Sequence, residues 1–398
     1  MSDHSHDAPK PEYFDYKHVG GRFLGLIAFA VLSFGVLLFG AILDPKQFAF
    51  SYLFGYTVFL TICMGGLFWT MVHHALDAEW SVVVRRQMEN MASLLLVMAV
   101  LFIPFIFVAP HLWYWMTKSP GQDILLDEKW PYLTKWFFWI RAGFYFVFFG
   151  VCATLLRSFS LAQDKDGAPR YTIYNRRVVF SSALLFAVCL TFAAIDWLMG
   201  LDYHWFSTMW GVYIFAGTAL SSMCVLVLII TALRGAGYFK NVITTEHYHI
   251  MGKLMLAFTI FWAYIAFSQY MLIWYSNIPE ETVYFLRRNT GTWWYLQLLL
   301  VAGHFFVPFL LLLPNFGKRS PAFLCGMAIW ILAMHVLDIY IIVLPAYHKA
   351  GVSVSYLDLF SLLAIGCTLA AVFLKRLGDG ALYPLKDPRL PQSLSLKN

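Results

Sequence analysis

Phe23-Leu24-Gly25-Leu26-Ile27-Ala28-Phe29-Ala30-Val31-Leu32-Ser33-Phe34-Gly35-Val36-Leu37-Leu38-Phe39-Gly40-Ala41-Ile42-Leu43 runs from Arg22 to Asp44 without a charged residue. Wound as a helix, a stretch of this length and apolarity crosses a hydrocarbon core of roughly 30 Å. Comparable runs recur along the whole chain and predict spans at 21–43, 50–72, 91–110, 133–156, 177–199, 208–233, 250–275, 291–313, 321–343 and 355–376. Apolarity is continuous within each run rather than alternating, which selects helices over the strands of a barrel. Pro45, Pro110, Pro279, Pro314 and Pro321 mark span ends. The expected protein is therefore an all-α integral membrane protein of about ten transmembrane helices. A tail at 1–20 precedes a membrane domain at 21–376, and a second tail follows at 377–398. Composition agrees, with 60% hydrophobic and 13% charged residues, against roughly 25% charged in a soluble domain.

The first 20 residues are polar and hold no signal-peptide core, so the first span is expected to act as its own insertion signal. Of the 28 lysines and arginines, twenty fall on the side of the N-terminus, the even-numbered connections and the C-terminal tail. Seven fall on the other side, and Arg141 lies inside a span. That bias places both termini in the cytoplasm. The same scatter over short loops is no nucleic-acid footprint. The segment from His74 through Trp80 to Arg86 mixes acids, Trp and Arg, as an interfacial helix does. Trp113, Tyr114, Trp115 and Trp130 form an aromatic belt at the outer surface.

The six cysteines lie in apolar runs and include no C-x-x-C pair, which argues against iron–sulfur, structural zinc and covalent haem c in this chain. They read as packing residues. No nucleotide loop, Ser/His/Asp constellation or H-E-x-x-H motif is present. Function therefore has to be sought in ionisable groups within the spans, where each charge costs roughly 2.5–3.5 kcal/mol.

Asp196, Asp202 and His204 gather at the outer end of the fifth span, either as a proton-exchanging or quinol-contacting group or as a turn capped by Ser207 or Thr208. His335 and Asp338 share one helical face, as a proton path or as a pin between helices. His304 is either a hydrogen-bonded interior histidine or, with His335, one of two haem ligands; the first reading is preferred. Arg141 is expected to pair with Asp196 or Asp358, or to snorkel. On the inner side His73, His74, Asp77, Glu79 and Lys253 offer a proton uptake path, while Glu246, His247 and His249 read as solvated loop charges. Gln269 and Tyr264 stand between the inner and outer groups.

Two stretches resemble a known family. One runs from Asp196-Trp197 to His204-Trp205-Phe206-Ser207-Thr208-Met209. The other runs from Gly252-Lys253-Leu254 through Trp262-Ala263-Tyr264 and Ser268-Gln269-Tyr270 to Asn277-Ile278-Pro279-Glu280-Glu281-Thr282. Together they resemble the membrane subunits of alternative complex III, a bacterial quinol:electron-acceptor oxidoreductase, within the NrfD-like group. Gly200 and Tyr203 stand where the family pattern has Ser and Pro. The complex has two such subunits, ActC and ActF, and this chain resembles the shorter, ActF.

The resemblance implies a bacterial inner-membrane protein of two four-helix bundles plus two peripheral helices. It also implies no cofactor on this chain, with haem c and iron–sulfur clusters elsewhere in the complex and menaquinol as substrate. The implied partners are an ActC-like paralogue, an iron–sulfur subunit, multihaem cytochrome c subunits and a terminal oxidase. The implied role is structural and proton-conducting. Two alternatives stay open: that the chain itself binds menaquinol, as ActC does, and that it is a secondary transporter. A transporter would show matched breaks in two halves, and no matched pair is read in the sequence.

Overall fold

The structure, a computed structural model, describes residues 11–15 and 20–397. The expected tail at 1–20 lies almost wholly outside the described residues. Among these, nine helices are long and apolar enough to cross a membrane, and one bent pair would bring the number to ten if it forms a single span. They are α1 (Gly20–Leu43), α2 (Pro45–Leu76), the pair α3 (Glu79–Leu101) and α4 (Phe105–Leu112), α5 (Lys135–Asp166), α6 (Arg170–Trp197) and α7 (Trp210–Gly235). After α8 (Thr245–Ser276) comes a short amphipathic helix, α9 (Pro279–Arg288), then α10 (Trp293–Leu312), α11 (Pro321–Val343) and α12 (Tyr356–Leu377). The protein is an all-α, multi-pass integral membrane protein.

Local chemistry fixes where the helices start. Asp44 caps α2 through Gln47 N at 2.9 Å, with Pro45 in the first turn. Ser355 and Asp358 form a capping box on α12, as Thr244 and His247 do on α8. Ser320 accepts from Phe323 N ahead of α11. Ser207 and Thr208 do not cap α7 with their side chains. Its cap position falls on Met209, and Trp210 N donates to the carbonyl of Ser207 instead.

Helices α2, α3/α4, α5 and α6 close one four-helix bundle, and α7, α8, α10 and α11 close a second. The seam is α2 against α7, while α1 and α12 pair outside and α12 lies on α2. Small residues set the seam: a Cβ on Gly65 would overlap Ser222 and the carbonyl oxygen of Thr218. Helix α2 is accordingly the most enclosed, 89% of its apolar window lying inside, against 22% for α1.

Two expectations need correction. The third span is not one straight helix but bends by 77° at Phe102–Pro104. Proline withholds an N–H there. The carbonyls of Met98 and Leu101 accept from Tyr56 Oη at 2.8 Å and Tyr52 Oη at 2.7 Å, so α2 supplies donors at the bend. The interfacial reading also fails for Val82–Arg86, since every residue from Val82 to Ser93 is buried, whereas Leu76 and Glu79 before them are exposed. Arg85 bonds Glu89 at 3.0 Å and Asp387 at 2.5 Å, and Arg86 bonds Asp164 at 2.5 Å. Charge pairing with the second tail takes the place of water.

That tail is thereby strapped across the arginine-rich end. Gln87 donates to Leu382 O at 2.7 Å, and Arg389 bonds both Asp77, at 2.8 Å, and Asp387, at 3.0 Å. Burial works to raise the Asp387 carboxyl, and the guanidinium groups of Arg85 and Arg389 overcome it and hold the group well below its ordinary range. A depressed carboxylate contributes stability above its unfolded value of about 4 and loses it as pH falls. Hydrogen exchange of 380–394 should stay slow at neutral pH and quicken first below about pH 4; uniform protection down to acid unfolding would contradict the strap. At the seam, Gly65→Ala should destabilise by about 1–3 kcal/mol, read as a lowered unfolding midpoint in detergent, whereas the uncrowded Gly143→Ala should not.

Candidate functional site

Asp338, 3% exposed, projects from the last two turns of α11 into the second bundle. Its Oδ1 accepts from the Tyr213 hydroxyl of α7, and its Oδ2 accepts from Trp262 Nε1 of α8 at 3.1 Å. Both donors are neutral, and no ion pair reaches this carboxylate among the described residues. Burying a carboxylate without a cation is costly, so such a group calls for a functional reason.

Asp338, Tyr213 and Trp262 line one wall of a cavity of about 600 Å³ between α7, α8, α9, α10 and α11. Aromatic rings dominate its inner wall, with Trp210, Tyr284 and Phe305 beside the two donors. Gln269 adds a buried amide whose oxygen has no partner. Tyr264, Phe267, Leu298, Val301 and Phe306 form an exposed apolar rim between α8 and α10, so the cavity opens toward lipid. Tyr264, 64% exposed, sits on this rim, in the same cavity wall as Gln269. Arg288 closes the end of the cavity nearest the loops. Its guanidinium donates to the carbonyls of Ile341 at 3.0 Å and Ile342 at 2.8 Å, ending α11, and lies over the Tyr284 ring at 3.5 Å.

His335 shares the face of Asp338 but makes no hydrogen bond with it. Its Nε2 lies 2.9 Å from Thr61 Oγ1 on α2. The Thr61 hydroxyl also lies 2.8 Å from the carbonyl oxygen of Val58, and His335 Nδ1 has no hydrogen-bond partner. Nδ1 faces Gly217, where a Cβ would stand 3.4 Å away. The His–Asp pair therefore pins α11 to three helices: His335 to α2, and Asp338 to α7 and α8. His304 is fully buried in a π-helical turn of α10, Val301–Phe306. Neither ring nitrogen has a partner, and the imidazole packs at 4.0 Å against Trp262, so it is not the hydrogen-bonded interior histidine expected. Trp330 Nε1 donates at 2.7 Å to Gly303 O within that turn. Such bulges recur at functional sites.

The remaining candidates separate. Asp196 lies in the first bundle and takes Arg141 as its partner rather than Asp358, with Nε and Nη2 at 2.9 and 2.7 Å. Tyr132 and Tyr145 donate to the same carboxylate at 2.8 and 2.9 Å. Asp202 pairs with Arg287 at 2.5 Å, and His204 with Asp123 at 2.9 Å, so the outer cluster read from the sequence is three separate contacts. The Tyr203 and His204 side chains hold Asp123 down at about 2.

Of the inner candidates, His73 and Asp77 are joined through Arg389. His73 is gripped by Arg85 and Arg389, at 2.9 and 3.2 Å from its Nε2. His74 is buried without a partner, Asp77 pairs with Arg389 and Arg176, and Lys253 and Glu79 are exposed. His247 and His249 are buried rather than solvated, because Thr244 caps α8 through His247. Sequence reasoning missed Tyr213, Trp262, Thr61 and Arg288. The one available signal was that hydroxyl and indole donors in apolar helices need acceptors.

No protein-family model and no curated protein matches this chain. The pair in the first bundle yields a direct test. Arg141→Ala should cost about 3–5 kcal/mol, because it leaves a buried carboxylate uncompensated. An unchanged unfolding midpoint would show the pair to be solvated.

Proposed function

We propose that this chain is a membrane subunit of a bacterial quinol-oxidising respiratory complex of the alternative complex III type, seated in the inner membrane with both termini cytoplasmic. In this reading it is the ActF-type subunit and carries no redox centre of its own. An ActC-like paralogue, an iron–sulfur subunit and multihaem cytochrome c subunits carry electrons beside it, with a terminal oxidase downstream. Its own chemistry is proton exchange at Asp338. The observation that carries this is a buried carboxylate with two neutral donors and no cation, opening on a lipid-facing cavity. His335, with one unbonded ring nitrogen, continues the same face toward α2. His304, with two unbonded nitrogens, lies behind Trp262.

The cavity favours a second reading, in which the chain itself holds a quinol. Aromatic walls suit a flat ring, the gap between α8 and α10 suits an isoprenoid tail, and Asp338 would accept a hydroxyl proton as electrons leave for an external acceptor. A transporter is less well supported, because the bend in α3/α4 receives two tyrosine hydroxyls from α2 and the cavity lies in the other bundle.

One experiment separates the readings. If the chain conducts protons, Asp338→Asn in reconstituted complex should lower the protons moved per electron while leaving quinol oxidation intact. If it binds quinol, Asp338→Asn and the cavity-filling Ala266→Trp should both depress quinol oxidation itself. If both variants keep wild-type turnover and wild-type proton yield, both readings fail. Purification alone, without haem c or iron–sulfur subunits, would count against the complex.

A further inference from the structure

A second hollow lies on the opposite side of α7. It measures about 270 Å³ and is lined by Phe68, Val72 and Ala75 of α2, by α6 from Val179 to Thr191, and by Phe215 of α7. The twelve rises of 1.5 Å from Val179 to Thr191 make it about 18 Å long. Even with all the open space around it counted, about 730 Å³, its mean cross-section is about 40 Å², roughly half that of a helix of about 10 Å diameter and wide enough for a polymethylene chain. The opening comes from small residues: Ala183 and Ala187 are exposed along it, while the larger Phe180 and Leu184 stand beside it, also exposed.

The two ends differ. At the end away from the arginines the slot is blind, because a Cβ on Gly211 would lie 2.6 Å from Thr191, so α6 and α7 touch there. At the other end, one turn beyond Val179 on the same face of α6, stands Arg176. Among the described residues its ion-pair partner is Asp77, which Arg389 also holds. Arg177 beside it is exposed. Asn175, in the same turn, is fully buried and neither atom of its amide has a partner.

We propose that this slot holds one acyl chain of an anionic phospholipid from the leaflet at the arginine-rich end. The phosphate is met by Arg176 and Arg177, just beyond the open end of the slot. The chain fills a groove that would otherwise leave the seam between the bundles underpacked, and the lipid acts as a structural ligand of this subunit. The assignment does not depend on the quinol reading.

Native mass spectrometry of the purified protein, or of the complex that contains it, tests this with added phosphatidylglycerol or phosphatidylcholine. The expected result is one retained phosphatidylglycerol, favoured over phosphatidylcholine by about fivefold per engaged arginine. Filling the slot with Ala183→Trp and Ala187→Phe should abolish retention, while Leu184→Trp, beside the slot, should not and serves as the control for folding. Arg176→Gln with Arg177→Gln should erase the headgroup preference but keep a bound lipid. Equal binding of the two lipids, or undiminished retention in the filled variant, would overturn the proposal. So would a crosslink from position 187 to another polypeptide in the assembled complex.

Discussion

Within hydrocarbon every charge must find its partner inside the protein, and this constraint organises the molecule. Arg141 meets Asp196; Arg85 and Arg86 meet Glu89, Asp387 and Asp164; Arg288 spends its donors on the carbonyls that end α11. Asp358 is satisfied at a helix start by Ser51 and the Ser355 N–H. Asp338 is the departure: its partners are a phenol and an indole, near the C-terminal end of its helix, where the dipole is unfavourable to an anion. Among the described residues Asp358 also lacks a cation but sits where the helix dipole favours it, so what sets Asp338 apart is neutral donors combined with an unfavourable helix end.

The two bundles make the contrast internal. Asp196 and Asp338 occupy matching places, each near the same end of the fourth helix of its bundle. In the first bundle an arginine and two tyrosines saturate the carboxylate, and the hollow nearby measures about 20 Å³. In the second the arginine is missing and the space is about 600 Å³. The first bundle is thus filled and the second hollow, and α2 and α7 join them through the Gly65 crossing and the Thr61–His335 contact.

How much of this was legible in the sequence depended on the kind of signal. Asp338, His335, Arg141 and Asp196 stood out because ionisable residues interrupt apolar runs, and the depth of Arg141 narrowed its partner to Asp196 or Asp358. The helices followed from run length. Tyr213 and Trp262 were invisible as donors, being two among 22 tyrosines and 15 tryptophans. The cavity is empty space between five helices and leaves no mark in any one of them. The third span misled because Pro104 sits within an unbroken apolar run, and its bend depends on hydroxyls donated from α2. Arg85 and Arg86 looked interfacial because their acids, Asp164 and Asp387, lie far along the chain.

Infrared difference spectroscopy of the intact complex, recorded as quinol is oxidised, tests the central claim most directly. If Asp338 exchanges a proton in turnover, a deuterium-sensitive carbonyl band of a protonated carboxyl should change in the wild type and vanish in Asp338→Asn. A spectrum without such a band, or one that the substitution leaves untouched, would contradict the account.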